Sequence, residues 1–325
     1  MELALGFGII FIIIILANVA EKRPEWRPIY MLALIGFSLL WAGFGVLILL
    51  LPSLPMPISL TQQPPPSVGL AFLISAGVAA LLLLLPIRRL LARLLPTRAD
   101  SPVHTTALFL ALFLTAWSAI NLLWVGGVEG LQGSVESVPI SLLAVQAAGL
   151  IIFAFFGAGF LIRRDWSETV ERLGLVRFQS RNLLVAPTAV VVLLIIEVVI
   201  TGIWLLVSPQ QAEALGQISD QLFGQYDSLA TIFILALLSS VSEEFLFRGA
   251  LQPRLGLILT AILFAFVHQQ YAISPATLIV LLIGIVLGLL RRHFGTWTAV
   301  LTHFGYNFTL LVFSLIASRF LDLQG

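Results

Sequence analysis

The chain has 325 residues, of which 59% are hydrophobic and 10% charged, with a net charge of +1 and no cysteine. A charged fraction so far under the globular norm of about 25% excludes an ordinary soluble domain. The missing cysteines exclude disulfides, thiolate zinc sites, a cysteine nucleophile and S-palmitoylation, and no basic cluster offers a surface to nucleic acid.

In chain order, ten apolar segments are long enough to cross a hydrocarbon layer about 30 Å thick. They lie at about 3–20, 29–51, 69–87, 105–127, 139–162, 183–207, 229–254, 257–273, 275–290 and 296–317. The expected class is all-α, a polytopic membrane helical bundle of about ten transmembrane helices, lodged as a multi-pass protein in the lipid bilayer of the cell (plasma) membrane. The first run, Leu3–Ala20, has no basic segment ahead of it and is followed by Lys22 and Arg23. It reads as a retained span with its N-terminus outside.

Loop charges agree with this count. Lys22, Arg23 and Arg27 follow the first span, Arg88, Arg89, Arg93 and Arg98 the third, and Arg163, Arg164, Arg172, Arg177 and Arg181 the fifth. Arg248 and Arg254 close the seventh, and Arg291 and Arg292 follow the ninth. Every Lys and Arg except Arg319 falls on one side, which the positive-inside rule makes cytoplasmic. The opposite loops carry Glu129, Glu136, Glu213, Asp220 and Asp227. The predicted topology is N-out and C-out.

Between the spans, Pro52–Pro66 reads as an extended linker. Arg163–Asn182, with Trp166, Val170, Leu173 and Leu175 among its charges, reads as an inner-interface segment. In the outer loop Ser208–Ser228, the spacing of Leu215, Ile218 and Leu222 predicts a short amphipathic helix that anchors the loop to headgroups. Gly284 and Gly288, spaced as GxxxG, predict a close helix contact. Residues 1–182 contribute no ionisable group inside a span and are expected to be scaffold. Residues 183–325 are expected to form the domain that carries the chemistry, with a motif core at 225–317.

The ionisable groups inside spans are Glu197, Glu243, Glu244, Arg248, His268 and His303, with Asn307 as a further strong polar group. His104 and His293 fall in loops and read as surface histidines. A charged side chain at the bilayer centre costs about 2.5–3.5 kcal/mol on insertion scales, so such groups mark function. If the chain turns near Leu255–Gly256, Glu243 and His268 both lie roughly 18 Å from the turn at the helical rise. His303 and Asn307 reach roughly 10–18 Å on their own helix. Three helices thus bring these side chains to one level.

Facing directions separate the roles. Glu244 and Arg248 are four apart and can pair as a structural support. Glu243 is rotated about 100° away, on the face of Ser239, Ser240 and Phe247, and has no cation in its own helix. Those serines and Ser242 read as packing residues, and Glu197 stands alone, without a role. A carboxylate and an imidazole on one cavity can activate water, and two donors, His303 and Asn307, can hold an oxyanion. Together they describe hydrolysis of an acyl bond, a peptide above all. Glu243, His268 and His303 are also suitable zinc ligands, drawn from three helices because no HExxH is present. The residues alone leave a zinc site and a metal-free one both open. The competing classes are an ion- or proton-coupled transporter and a non-catalytic peptide-binding immunity protein.

Three ordered motifs carry a resemblance. Glu243–Arg248 fits EExxxR, Phe264–His268 fits FxxxH and His303–Asn307 fits HxxxN. In this order they resemble the CPBP family of intramembrane proteases, the CAAX-protease and bacteriocin-processing group with its Rce1-like members. The stretch Glu171–Phe178, ERLGLVRF, resembles the segment often seen ahead of that domain. The resemblance covers about 225–317. It implies a membrane endopeptidase in which Glu243 and His268 activate water and His303 and Asn307 form the oxyanion site, with Glu244 and Arg248 in support. It also implies a peptide or protein substrate at the membrane, prenylated proteins included. Both zinc-dependent and glutamate-dependent, metal-free catalysis are attributed to the family.

Overall fold

Backbone polar groups in hydrocarbon must be paired within the protein, and a helix pairs them inside each apolar run. The computed structural model describes residues 2–53, 63–134, 137–176 and 180–322. Among these residues there is no strand. Part of the Pro-rich loop (54–62), Glu136, and Arg177 with Phe178 lie outside the described residues.

The chain runs α1 (Glu2–Lys22), α2 (Arg27–Leu50), α3 (Pro66–Leu83), a short α4 (Leu85–Leu91), α5 (Pro102–Val125), a short α6 (Val128–Ser134) and α7 (Ile140–Ala158). It continues through α8 (Trp166–Leu173), α9 (Asn182–Val207), α10 (Pro209–Phe223) and α11 (Leu229–Glu244). A π-helical turn, Phe245–Leu251, joins α11 to α12 (Gln252–Leu255), and α13 (Leu257–Val267), α14 (Pro275–Phe294) and α15 (Thr296–Asp322) follow. Eight of these segments are long and apolar enough to cross a membrane: those built on α2, α3, α5, α7, α9, α11 with α12, α14 and α15. The helix α1, 21 residues long, is of the same kind. This is an all-α, multi-pass membrane bundle.

The eighth expected span differs. Its helix, α13, has 11 residues, about 16 Å or half of the hydrocarbon layer. The chain leaves the helix at His268 for a local reason. The His268 ring places Nδ1 2.7 Å from Phe264 O, the carbonyl that its own N–H would take in a continuing α-helix. The His268 N–H turns instead to Ala265 O at 3.2 Å. A 3-10 turn, Gln269–Tyr271, follows, and Ser274 caps α14. Non-helical backbone at this depth is tolerated where protein or a wet cavity surrounds it.

The outer loop also departs from expectation. Helix α10 forms, but Leu215 and Ile218 are buried against Leu131, Trp204 and Ala272. Its apolar face is thus spent on the protein instead of on headgroups, because α6 and the end of α9 present matching apolar surface beneath it. On the Arg-rich side, α8 buries Leu173 fully. The carbonyls of Leu173 and Leu175 accept from Thr296 Oγ1 at 2.5 Å and Trp297 Nε1 at 2.8 Å, which fixes the start of α15. Burial first, then the neighbouring Arg164, Arg291 and Arg163, pull the Arg172 guanidinium down to about 10. His293 is exposed, whereas His104 sits half-buried in the first turn of α5, where its Nδ1 accepts from the Arg98 N–H at 3.1 Å.

The largest core joins Leu82, Ala107, Leu108 and Ala111 from α3 and α5 to Phe247, Leu263, Phe264 and Leu287. The early spans therefore pack directly on the helices that bear the motifs. Gly284 and Gly288 hold α14 close to α13 and α12. A Cβ on Gly284 would lie 3.2 Å from the backbone of Ala261, and one on Gly288 2.2 Å from Leu257 Cδ1. Gly284→Val should therefore push α13 outward and cost about 1–3 kcal/mol through overpacking. The expected readout is a lower unfolding midpoint in detergent, and an unchanged midpoint would contradict this packing.

Candidate active site

Glu243 and Glu244 close α11, and Arg248 lies in the π-helical turn after it. Such turns are rare and recur at functional sites. Here the turn also brings Gly249 against Leu173 of α8, where a Cβ would lie 3.0 Å from Leu173 Cδ2.

The two carboxylates meet opposite environments. The Glu244 side chain is 0% exposed, with Oε2 3.2 Å from Arg248 Nε. Its Oε1 lies 3.0 Å from His303 Nδ1. The Arg248 guanidinium, itself buried, lies over the Phe264 ring at 4.2 Å and donates through Nη2 to Gly284 O at 3.4 Å. So the expected Glu244–Arg248 pair is present, and His303 joins it as a third member. The sequence placed His303 in the reaction cavity, but spacing within a helix says nothing of which carboxylate on another helix it will meet.

Glu243 is 20% exposed and His268 19%, with Glu243 Oε2 3.7 Å from His268 Nε2. Among the described residues, no protein donor hydrogen-bonds Glu243 Oε2. With Nδ1 held at Phe264 O, the neutral His268 ring carries its proton there and presents Nε2 as a bare acceptor. The Tyr271 ring lies parallel to that of His268, 6.3 Å away and inclined by 6°.

Asn307, one turn beyond His303 on α15, donates through Nδ2 to Ser239 Oγ at 3.2 Å. Its amide keeps a second N–H. Ser239, Ser240 and Ser242 bond back to carbonyls of their own helix, at 3.2, 3.2 and 2.7 Å, as packing residues do. Glu197, without a role in the sequence, accepts from Tyr306 Oη at 2.8 Å and from Thr201 Oγ1 at 3.3 Å. Tyr306 stands inside the HxxxN motif, between His303 and Asn307, and that position was the signal available for it. Nothing in the sequence marked Tyr271.

Among the described residues no three His, Asp or Glu side chains, the set Glu243, His268 and His303 included, converge as a metal-holding group.

The helical membrane bundle thus holds a carboxylate and an imidazole facing each other beside a buried, ion-paired carboxylate. Residues 225–309 match the family model described as Rce1-like, type II CAAX prenyl endopeptidase Rce1-like. With the three motifs, the match identifies this segment as a CPBP-type, Rce1-like domain, and it supports intramembrane endopeptidase activity in general. Comparison with curated proteins and with solved structures gives no match.

Replacing Arg248 by Met would leave a fully buried carboxylate with His303 as its one remaining partner among the described residues. Breaking a buried pair in this way costs about 3–5 kcal/mol. Arg248→Met should therefore lower the unfolding midpoint of the purified protein sharply, while Glu243→Gln, at the exposed pair, leaves it in place. Equal midpoints for the two variants would contradict the division of roles.

Proposed function

We propose that the chain is an intramembrane endopeptidase that hydrolyses peptide bonds of a membrane-associated peptide or protein, prenylated proteins among the candidates. It acts in the cell membrane with its Arg-rich loops inside. The observation that carries this reading is the Glu243–His268 pair: two acceptor atoms 3.7 Å apart, each on a side chain about one-fifth exposed. A water molecule donates both its protons to two such acceptors and keeps its lone pairs for a carbonyl carbon.

In the proposed step, Glu243 takes a proton from water as the oxygen attacks the peptide carbonyl carbon, and His268 Nε2 orients that water. The carbonyl π-bond electrons move to oxygen. Asn307 supplies its second N–H to this oxyanion. His303 can add a donor through Nε2, since Nδ1 is engaged by Glu244. When the tetrahedral intermediate collapses, the C–N bond breaks and Glu243 returns its proton to the leaving amine. Because α10 and α6 pack over Ala272 at one end of the site, substrate enters from the opposite, Arg-rich side.

The proposed chemistry is metal-free. It predicts that treatment with a strong chelator leaves peptide cleavage intact and that the purified protein holds zinc well under one equivalent. Activity lost on chelation and restored by zinc would contradict it. It also predicts that Glu243→Gln and His268→Ala abolish cleavage of membrane peptides, scored by comparing peptides that accumulate with each protein. Asn307→Ala should lower kcat by about a hundred- to a thousand-fold, as loss of an oxyanion donor does. Full activity in the Glu243 and His268 variants would remove the mechanism.

A further inference from the structure

Helix α9 precedes the matched segment and turns much of its surface outward: Ile195, Val198 and Val199 are all exposed. A carboxylate on such a helix is costly, yet Glu197 is there, half-buried. Both its oxygens have protein donors, Tyr306 Oη at 2.8 Å and Thr201 Oγ1 at 3.3 Å. The contact is set by close helix packing. A Cβ on Gly305, next to Tyr306, would lie 2.9 Å from Val190 Cγ2 of α9, so the two helices meet where only glycine leaves room.

Tyr306 is buried and adjoins Asn307 in the chain. The Tyr271 ring packs against the same core as Tyr306 and lies parallel to that of His268. Glu197 thus holds Tyr306, the chain neighbour of Asn307, by a direct hydrogen bond. We infer that Glu197 is a positioning residue of the active site. It fixes the Tyr306 hydroxyl and, through Tyr306 on α15, holds the Asn307 amide at the angle the reaction needs. This inference rests on the endopeptidase reading given above. It extends the working site to a helix outside residues 225–309.

The test uses the full chain in detergent or liposomes, with kcat and KM measured on a membrane peptide substrate and folding checked by the unfolding midpoint. Glu197→Leu and Tyr306→Phe should each lower kcat about ten- to a hundred-fold, the scale of a small misplacement of reacting groups, with KM within about twofold. The double variant should be no slower than the slower single one, because both remove the same contact. Glu197→Gln keeps an acceptor for the Tyr306 hydroxyl and should recover kcat to within about threefold of wild type, the conservative rescue expected of a hydrogen-bond role. Folded Glu197→Leu and Tyr306→Phe proteins with wild-type kcat would overturn the inference, as would effects that multiply in the double variant. Glu243→Gln is the control that separates the two claims. If it retains activity the endopeptidase mechanism falls, whereas an inactive Glu243→Gln beside a fully active Glu197→Leu defeats the positioning role alone.

Discussion

Glu244 has no water to solvate it: its side chain is 0% exposed, and its oxygens face Arg248 and His303. A charge so placed must be met by protein, and meeting it draws the later half of the bundle together. Arg248 comes from the π-helical turn beyond α11, His303 from α15, and the guanidinium itself rests on Phe264 of α13 and reaches Gly284 O of α14. Four membrane helices are thereby registered on one carboxylate. Removing Arg248 alone would leave a buried carboxylate without its cation, which is why the pair is costly to break.

The neighbouring residue inherits that geometry. Glu243 follows the same helix rotated by about 100°, so fixing Glu244 inward turns Glu243 toward His268 and a partly exposed space. Two adjacent carboxylates thus meet opposite environments, one buried and ion-paired, the other partly exposed. The half-length of α13 serves the same end. By giving Phe264 O to its own ring, His268 ends the helix, sets its tautomer and aims Nε2 at Glu243 in a single interaction.

Much of this was legible in the sequence, for identifiable reasons. Uninterrupted apolar runs have few solutions in a bilayer, so the helical segments emerged close to their observed limits. The i,i+4 spacing of Glu244 and Arg248 gave their pairing directly, and the rotation between adjacent residues gave the split between Glu243 and Glu244. What could not be read depends on contacts between helices. His303 goes to Glu244, Glu197 meets Tyr306, and α10 lies on α6 and α9 where its pattern alone suggested a headgroup surface. The early end of α13 was hidden for a different reason: a side chain, His268, substitutes for a backbone donor, and hydropathy does not register such a substitution. The π-helical turn likewise leaves no periodic trace over seven residues.

The absence of cysteine from the sequence offers a direct test of the central claim, that water reaches Glu243 while the rest of that helix end stays dry. A cysteine placed at Glu243 and another at Ser240, which is 0% exposed three residues earlier, can each be challenged with a small, charged, water-soluble thiol reagent on protein in liposomes. The account predicts rapid modification at position 243 and none at 240. A cysteine at 243 that resists the aqueous reagent and yields only to a lipid-soluble one would show that Glu243 faces hydrocarbon, and would contradict the hydrolytic site.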